Sequence, residues 1–305
     1  VTARRVLAGA LALTFAVGVG ALVLRRLDRT TPVTVDQAVD RFRASHPPAA
    51  TSAPGATATT TAPTGTAGPT GASPAASAGP GMTGTTRLPG GPGGTPAPGD
   101  RRTPEGVYVY ATTGYETADA GVSKARHDYP PTTTMTVTHD GSGCGSHIRW
   151  DATADRWDDV HDCVSSASST TTEYATYHRF FGQEERRDYR CGPTAYLRPP
   201  PGTTRWSFDC ATADRKARTH TDGRVVGTES VTVGGARVEA LHVRFDTTLS
   251  GSSRGSNPVD YWLALKEPYV LRKTWRVDAD VDTAFGSIRY HEEYDVRLTS
   301  RTPRR

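Results

Sequence analysis

Two sets of residues in this sequence could do chemistry by their types and spacing: four cysteines in the middle of the chain and a few charged and aromatic side chains near its end. Cys144-Gly145 opens a block that closes at Asp162-Cys163, and Cys191-Gly192 opens a second block of the same length that closes at Asp209-Cys210. Cys144-x-x-His147 with His161-x-Cys163 would supply two thiolates and two imidazoles, the ligand types of a structural zinc site. That chemistry leaves the second block unexplained, because it contains no histidine. Disulfide formation explains both. Four cysteines allow three connectivities, and the matched blocks favour Cys144 with Cys163 and Cys191 with Cys210. Each closed loop would stabilise the fold by about 3 kcal/mol in the chain-entropy model.

Near the C-terminus, Ile288, Tyr290, Tyr294, Val296 and Leu298 alternate with Arg289, His291, Glu293, Asp295 and Arg297, the period of a strand with one apolar face. Glu292 interrupts that face, and Lys273 interrupts the apolar face of the preceding run Leu271, Trp275, Val277. On adjacent antiparallel strands with a turn near Val281 to Thr283, the two could pair, either as a structural ion pair or as the polar handle of an apolar ligand pocket. Lys273, Glu292, Trp275 and Tyr290 are therefore the candidate ligand-face residues. Trp150 and Trp157 flank the turn of the first block, where they could stack on a sugar or stabilise a hairpin. Glu184-Glu185-Arg186-Arg187 mixes both signs and suits a solvated turn. The chain has no G-x-S-x-G elbow, H-E-x-x-H helix or Walker-type phosphate loop, so no enzyme activity, cofactor or metal is expected.

The elements that must position these residues are strands. From Gly106-Val107-Tyr108-Val109-Tyr110 onward, short runs rich in Thr, Val, Tyr, Trp and Phe alternate with Gly, Pro and Asp, and no long amphipathic helix intervenes. Each cysteine block has a turn, Ala152 to Asp155 in the first and Pro199 to Gly202 in the second, and reads as a hairpin joined at its ends. Residues 105–300 are thus expected to form a mainly β domain, an antiparallel curved sheet that makes an open half-barrel or a sandwich, followed by a basic tail over 301–305.

Asp260-Tyr261-Trp262-Leu263-Ala264-Leu265, then Tyr269-Val270-Leu271-Arg272-Lys273, then Tyr290-x-x-x-Tyr294 to Leu298 and Pro303, resemble the closing strands of the LolA-like family. That resemblance implies an exported lipoprotein or lipid carrier, an open half-barrel with an apolar concave face. The whole chain also resembles single-pass actinobacterial envelope proteins, which implies a location and no activity.

The start of the chain agrees with that location. Val6 to Leu24 is an uncharged apolar run of roughly 19 residues between Arg4-Arg5 and Arg25-Arg26, long enough for a membrane-spanning helix and without a small-residue cleavage site. Residues 1–29 are the expected single-pass anchor, uncleaved. Disulfides persist outside the cytosol, so the N-terminus is expected inside and the C-terminal domain outside. Over 30–46, Val35, Ala38, Val39 and Phe42 fall on one helix face behind a Thr34-x-x-Gln37 capping box, which predicts a short amphipathic helix at the membrane surface. Residues 47–104, rich in Ala, Thr, Pro, Gly and Ser, have too few large apolar residues to fold and predict a disordered linker.

Of 36 Lys+Arg and 32 Asp+Glu, 8 and 4 fall in residues 1–100, leaving 28 of each in the folded part, so the net charge of +4 belongs to the membrane-proximal arm. A balanced domain lacks the basic footprint of a nucleic-acid binder. The expected function is that of a membrane-anchored extracytoplasmic binding protein, with a lipid or other amphiphile on the concave face or a cell-wall partner. The alternative is a structural or protein- or glycan-interaction module without a small-molecule ligand.

Overall fold

Alternation of inward and outward side chains, with short turns, carries the described residues from 106 to 298 through fourteen strands. The computed structural model describes residues 30–46, 101–121, 123–266, 269–283 and 286–305. The expected anchor helix over 6–24, and the linker up to residue 100, lie outside these. Among the described residues no helix is long and apolar enough to cross a membrane. Among the described residues, one helix, α1 (Val35–Ser45), precedes β1 (Gly106–Asp119), β2 (Lys124–Asp128), β3 (Thr132–His139), β4 (Gly145–Thr153), β5 (Arg156–Val164), β6 (Ser169–Phe180) and β7 (Gln183–Cys191). The chain continues through β8 (Tyr196–Arg198), β9 (Arg205–Thr212), β10 (Ala217–Val233), β11 (Ala236–Gly251), β12 (Ser253–Ala264), β13 (Val270–Thr283) and β14 (Gly286–Leu298).

Every pairing is antiparallel, and β14 pairs both with β13 and with β1, from Tyr110 opposite Leu298 to Asp119 opposite Arg289. The sheet is therefore neither the expected open half-barrel nor a sandwich: twelve strands close into a barrel. Closure removes the sheet edges, whose unpaired backbone groups would otherwise need cover. At the seam β1 changes partner, pairing with β3 through Ala111 and with β2 from Tyr115. Pro130 and Pro131 lie between β2 and β3 and cannot donate to a ladder, so these two strands share one place in the ring. Gly114, at φ +150°, sits at the change; a Cβ there would run into the Glu293 carbonyl and Tyr294.

Both disulfides form as the spacing predicts, with Cα–Cα distances of 4.8 Å for Cys144–Cys163 and 4.0 Å for Cys191–Cys210. The first joins the ends of the β4–β5 hairpin. The second does not close a hairpin: it ties β7 to β9, while β8 between them pairs with the start of β6. The Pro199-Pro200-Pro201 run that marked the expected turn has no N–H with which to continue a ladder.

Helix α1 has the expected cap, with Gln37 N donating to Thr34 Oγ1 and Thr34 N donating to Gln37 Oε1. Its apolar face is not available to a membrane surface, however. Ala38, Val39 and Phe42 are buried with Val107 of β1, and Arg41 reaches Asp151 of β4 at 2.7 Å. The basic tail also docks, through paired backbone hydrogen bonds between Arg304 and Val107.

Candidate functional site

The barrel interior divides along its length. At one end Tyr108, Tyr110, Trp150, Leu271, Tyr294, Val296 and Leu298 pack into a core. Further along the same strands, Val277, Ala279 and Val281 of β13 and Ile288 of β14 line a cavity of about 280 Å³, with Phe245 of β11 and Phe208 of β9. Charged residues lie between core and cavity: Lys273 follows Leu271 on the inward face of β13, and Glu292 precedes Tyr294 on β14. They form the cavity's floor.

Lys273 and Glu292 do not pair with each other. β13 and β14 place Lys273 opposite Val296 and Val277 opposite Glu292, because the register that pairs Thr283 with Gly286 offsets the two by four positions. Both are instead joined through β5. Arg156, the first residue of β5, is fully buried. Its Nε donates to Glu292 Oε1 at 2.8 Å, its Nη2 to Glu292 Oε2 at 3.1 Å and its Nη1 to Asp158 Oδ1 at 2.5 Å. Tyr129 Oη also donates to Glu292. Lys273 Nζ lies 3.9 Å from Asp158 Oδ2, so this amine is an outlying member of the network. Around it stand Trp275, Tyr294, Tyr261 and Trp150, with ring centroids 4.6, 5.2, 5.5 and 5.9 Å from Nζ.

Burial opposes ionisation of Asp158, but the charges of Arg156 and Lys273 outweigh it and hold its pKa below the usual range. Lys273 has less compensation. Burial takes its pKa down to about 8, with Asp158 offsetting part of the shift and Arg156 adding to it. A third buried carboxylate, Glu116 of β1, accepts from His127 at 2.9 Å, His178 at 3.2 Å and Tyr290 Oη at 3.0 Å. Burial works against its charge, yet the His127 and His178 hydrogen bonds and nearby positive charge keep it ionised to lower pH than usual. Tyr290 is raised well above its ordinary value, by burial first and by Glu292 and Glu116 next.

Trp275 lines the cavity, and its Nε1 is buried without a protein acceptor; so is the hydroxyl of Tyr294 beneath it. Buried donors in native proteins are nearly always satisfied. Lys273 Nζ, with Asp158 Oδ2 at 3.9 Å, is thus the floor's donor with bonding capacity left over, and Trp275 Nε1 and Tyr294 Oη are unsatisfied in the packing beside it.

No family model and no curated protein matches the chain. A solved structure of a putative lipoprotein from Parabacteroides distasonis aligns over 65% of this chain and 95% of its own, with 11% identity and a TM-score of 0.28, too slight a likeness to argue from.

Of the four ligand-face candidates, Lys273, Glu292, Trp275 and Tyr290 all line the cavity. The sequence reasoning missed Arg156, Asp158, Glu116 and His178. It also treated Glu184 to Arg187 as a solvated turn, whereas these residues belong to β7 and turn Glu185 and Arg187 toward the cavity. Trp150 and Trp157 are not a cross-strand pair. Trp150 points inward and opposes Asp158, while Trp157 points outward, stacks on Tyr177 at 5.3 Å and lies under Arg149. The signal for Arg156 and Asp158 was present in their spacing of two, the period of one strand face.

Proposed function

We propose that the chain is an extracytoplasmic binding protein of the cell envelope, held to the membrane by the apolar segment over 6–24, and that its barrel holds a small amphiphile. The observation that carries this reading is the division of the lumen: an apolar cavity whose floor bears the amine of Lys273, with the Asp158 carboxylate no nearer than 3.9 Å. Ligand pockets are mostly apolar with a few placed polar groups, and they run upward from about 300 Å³. This cavity lies near that lower end, which suits one hydrocarbon chain better than a two-chain lipid. The polar end of the ligand, rich in acceptor oxygens and carboxylate- or phosphate-like, meets Lys273, beside the ring of Trp275. Its hydrocarbon lies along Val277, Val281, Ile288 and Phe245.

Binding is a better account than catalysis, since the buried carboxylates Glu292, Asp158 and Glu116 all have protein partners. Two disulfides fit an oxidising compartment. The test is solvent extraction of the full chain purified oxidised from an actinobacterial host, with mass spectrometry of the extract. A species near one per chain, absent from Ala279→Phe and Lys273→Met chains prepared identically, is the expected result. Equal lipid content in all three preparations overturns the proposal and favours the interaction module.

A further inference from the structure

On the outer wall, away from the lumen, three side chains converge that the binding proposal does not use. His147 of β4 and His161 of β5 are directly opposed in register, their rings stacked with centroids 4.4 Å apart. Asp140, in the turn after β3, brings Oδ2 to 2.8 Å from His161 Nε2. One ligand atom from each residue lies within 4.8 Å of the others. We propose that Asp140, His147 and His161 form a site for a divalent transition-metal ion of the zinc class.

Several features prepare these groups for that role. The Cys144–Cys163 disulfide joins the two strands that carry the histidines, fixing their register. His161 is oriented from behind: Thr172 Oγ1 lies 2.9 Å from its Nδ1, which leaves Nε2 facing Asp140. Metal-bound histidines generally have such a partner on the other ring nitrogen. Asp140 is anchored in the same manner, since its Oδ1 accepts from Ser142 N at 2.8 Å and from Ser142 Oγ at 2.5 Å while Oδ2 turns to His161. Gly145 is part of the cradle: a Cβ at that position would run into the Asp140 carboxylate. Asp159 Oδ1, 3.7 Å from His147 Nδ1, adds a further negative charge at the rim.

Two imidazoles and a carboxylate suit zinc, copper(II) or nickel(II) rather than calcium or magnesium, which take oxygen ligands. Bonds of about 2.0–2.2 Å would draw the three ligand atoms closer together than they now stand, and the half-exposed ring of His147 is free to turn for this. Three protein ligands leave a fourth position for water or for a ligand from a partner.

Isothermal titration of the oxidised full chain with zinc chloride tests the site. One zinc per chain is expected, with affinity reduced ~100-fold by His161→Gln and ~10-fold by Thr172→Val, and restored by Thr172→Ser. His220→Gln is the control, because His220 also sits on the outer wall between carboxylates, Asp209 at 2.8 Å and Asp222 at 3.8 Å. Unchanged thermal unfolding of each variant without metal would show that the fold is intact. Absence of binding in the wild type, its survival in His161→Gln, or an equal loss in His220→Gln overturns the proposal.

Discussion

The two ends of the barrel are built from the same strands and differ in what fills them. On β13, Leu271 is completely buried in the packed end, while Val281, ten residues on, is partly exposed beside the cavity. Between them lies a layer of charge that a barrel needing only a core would have little reason to keep, since buried ion pairs cost desolvation energy that their attraction scarcely recovers. The difference teaches that stability is concentrated at one end, so the other end and its charged floor are free to serve a ligand.

The largest expected effect comes from breaking that floor. Arg156→Met leaves Glu292 and Asp158 buried without their strongest partner and should cost about 3–5 kcal/mol in denaturant unfolding with disulfides intact. The double change Arg156→Met with Glu292→Met removes the stranded carboxylate as well and should recover a large part of the loss. Failure to recover would mean that the pair contributes nothing beyond packing.

Next in size is the contrast within β13 itself. Leu271→Ala opens a hole in a close-packed core and should cost about 2–5 kcal/mol, whereas Val281→Ala removes methyl groups that already face the cavity and should cost under about 1 kcal/mol. Similar losses at the two positions would show that the cavity end is packed as tightly as the other.

These contrasts were only partly legible in the sequence. The equal cysteine blocks gave both disulfides, and period-two alternation gave β14, because each is a local pattern. Lys273 and Glu292 stood out as breaks in an apolar face. Their true connection runs through Arg156, 136 residues from Glu292 along the chain, and no local spacing reports it. β5 is also misleading by polarity, since it turns Arg156, Asp158 and Asp162 inward and Trp157 outward. Closure of the barrel rests on β1 meeting β14, the most distant pairing available. The open half-barrel implied by the C-terminal strands was wrong for that reason.

A smaller effect is a pH dependence that separates the floor from the rest. Burial lowers the Lys273 pKa from 10.5 to about 8, so between these values the unfolded chain binds a proton that the folded chain does not. The associated stability is complete above about pH 10.5 and is lost as the pH falls toward 8, a span worth up to about 3 kcal/mol. Lys273→Met should abolish this rise relative to the wild type. Parallel stability profiles for the two proteins over pH 8 to 10.5 would place the amine in contact with solvent.

The smallest expected change in stability accompanies the largest expected change in binding. Ala279, paired with Gly255 on one side and Tyr290 on the other, presents only a methyl group to the cavity. Ala279→Phe puts a ring into space that holds no core, so unfolding should shift by less than about 1 kcal/mol, in contrast to the 1–3 kcal/mol that overpacking costs in a filled interior. The same ring occupies the path proposed for the hydrocarbon and should eliminate the extractable ligand. A variant that is strongly destabilised would mean that the hollow end is a core under another description. A variant that is stable and still carries its ligand would move the binding site out of the lumen.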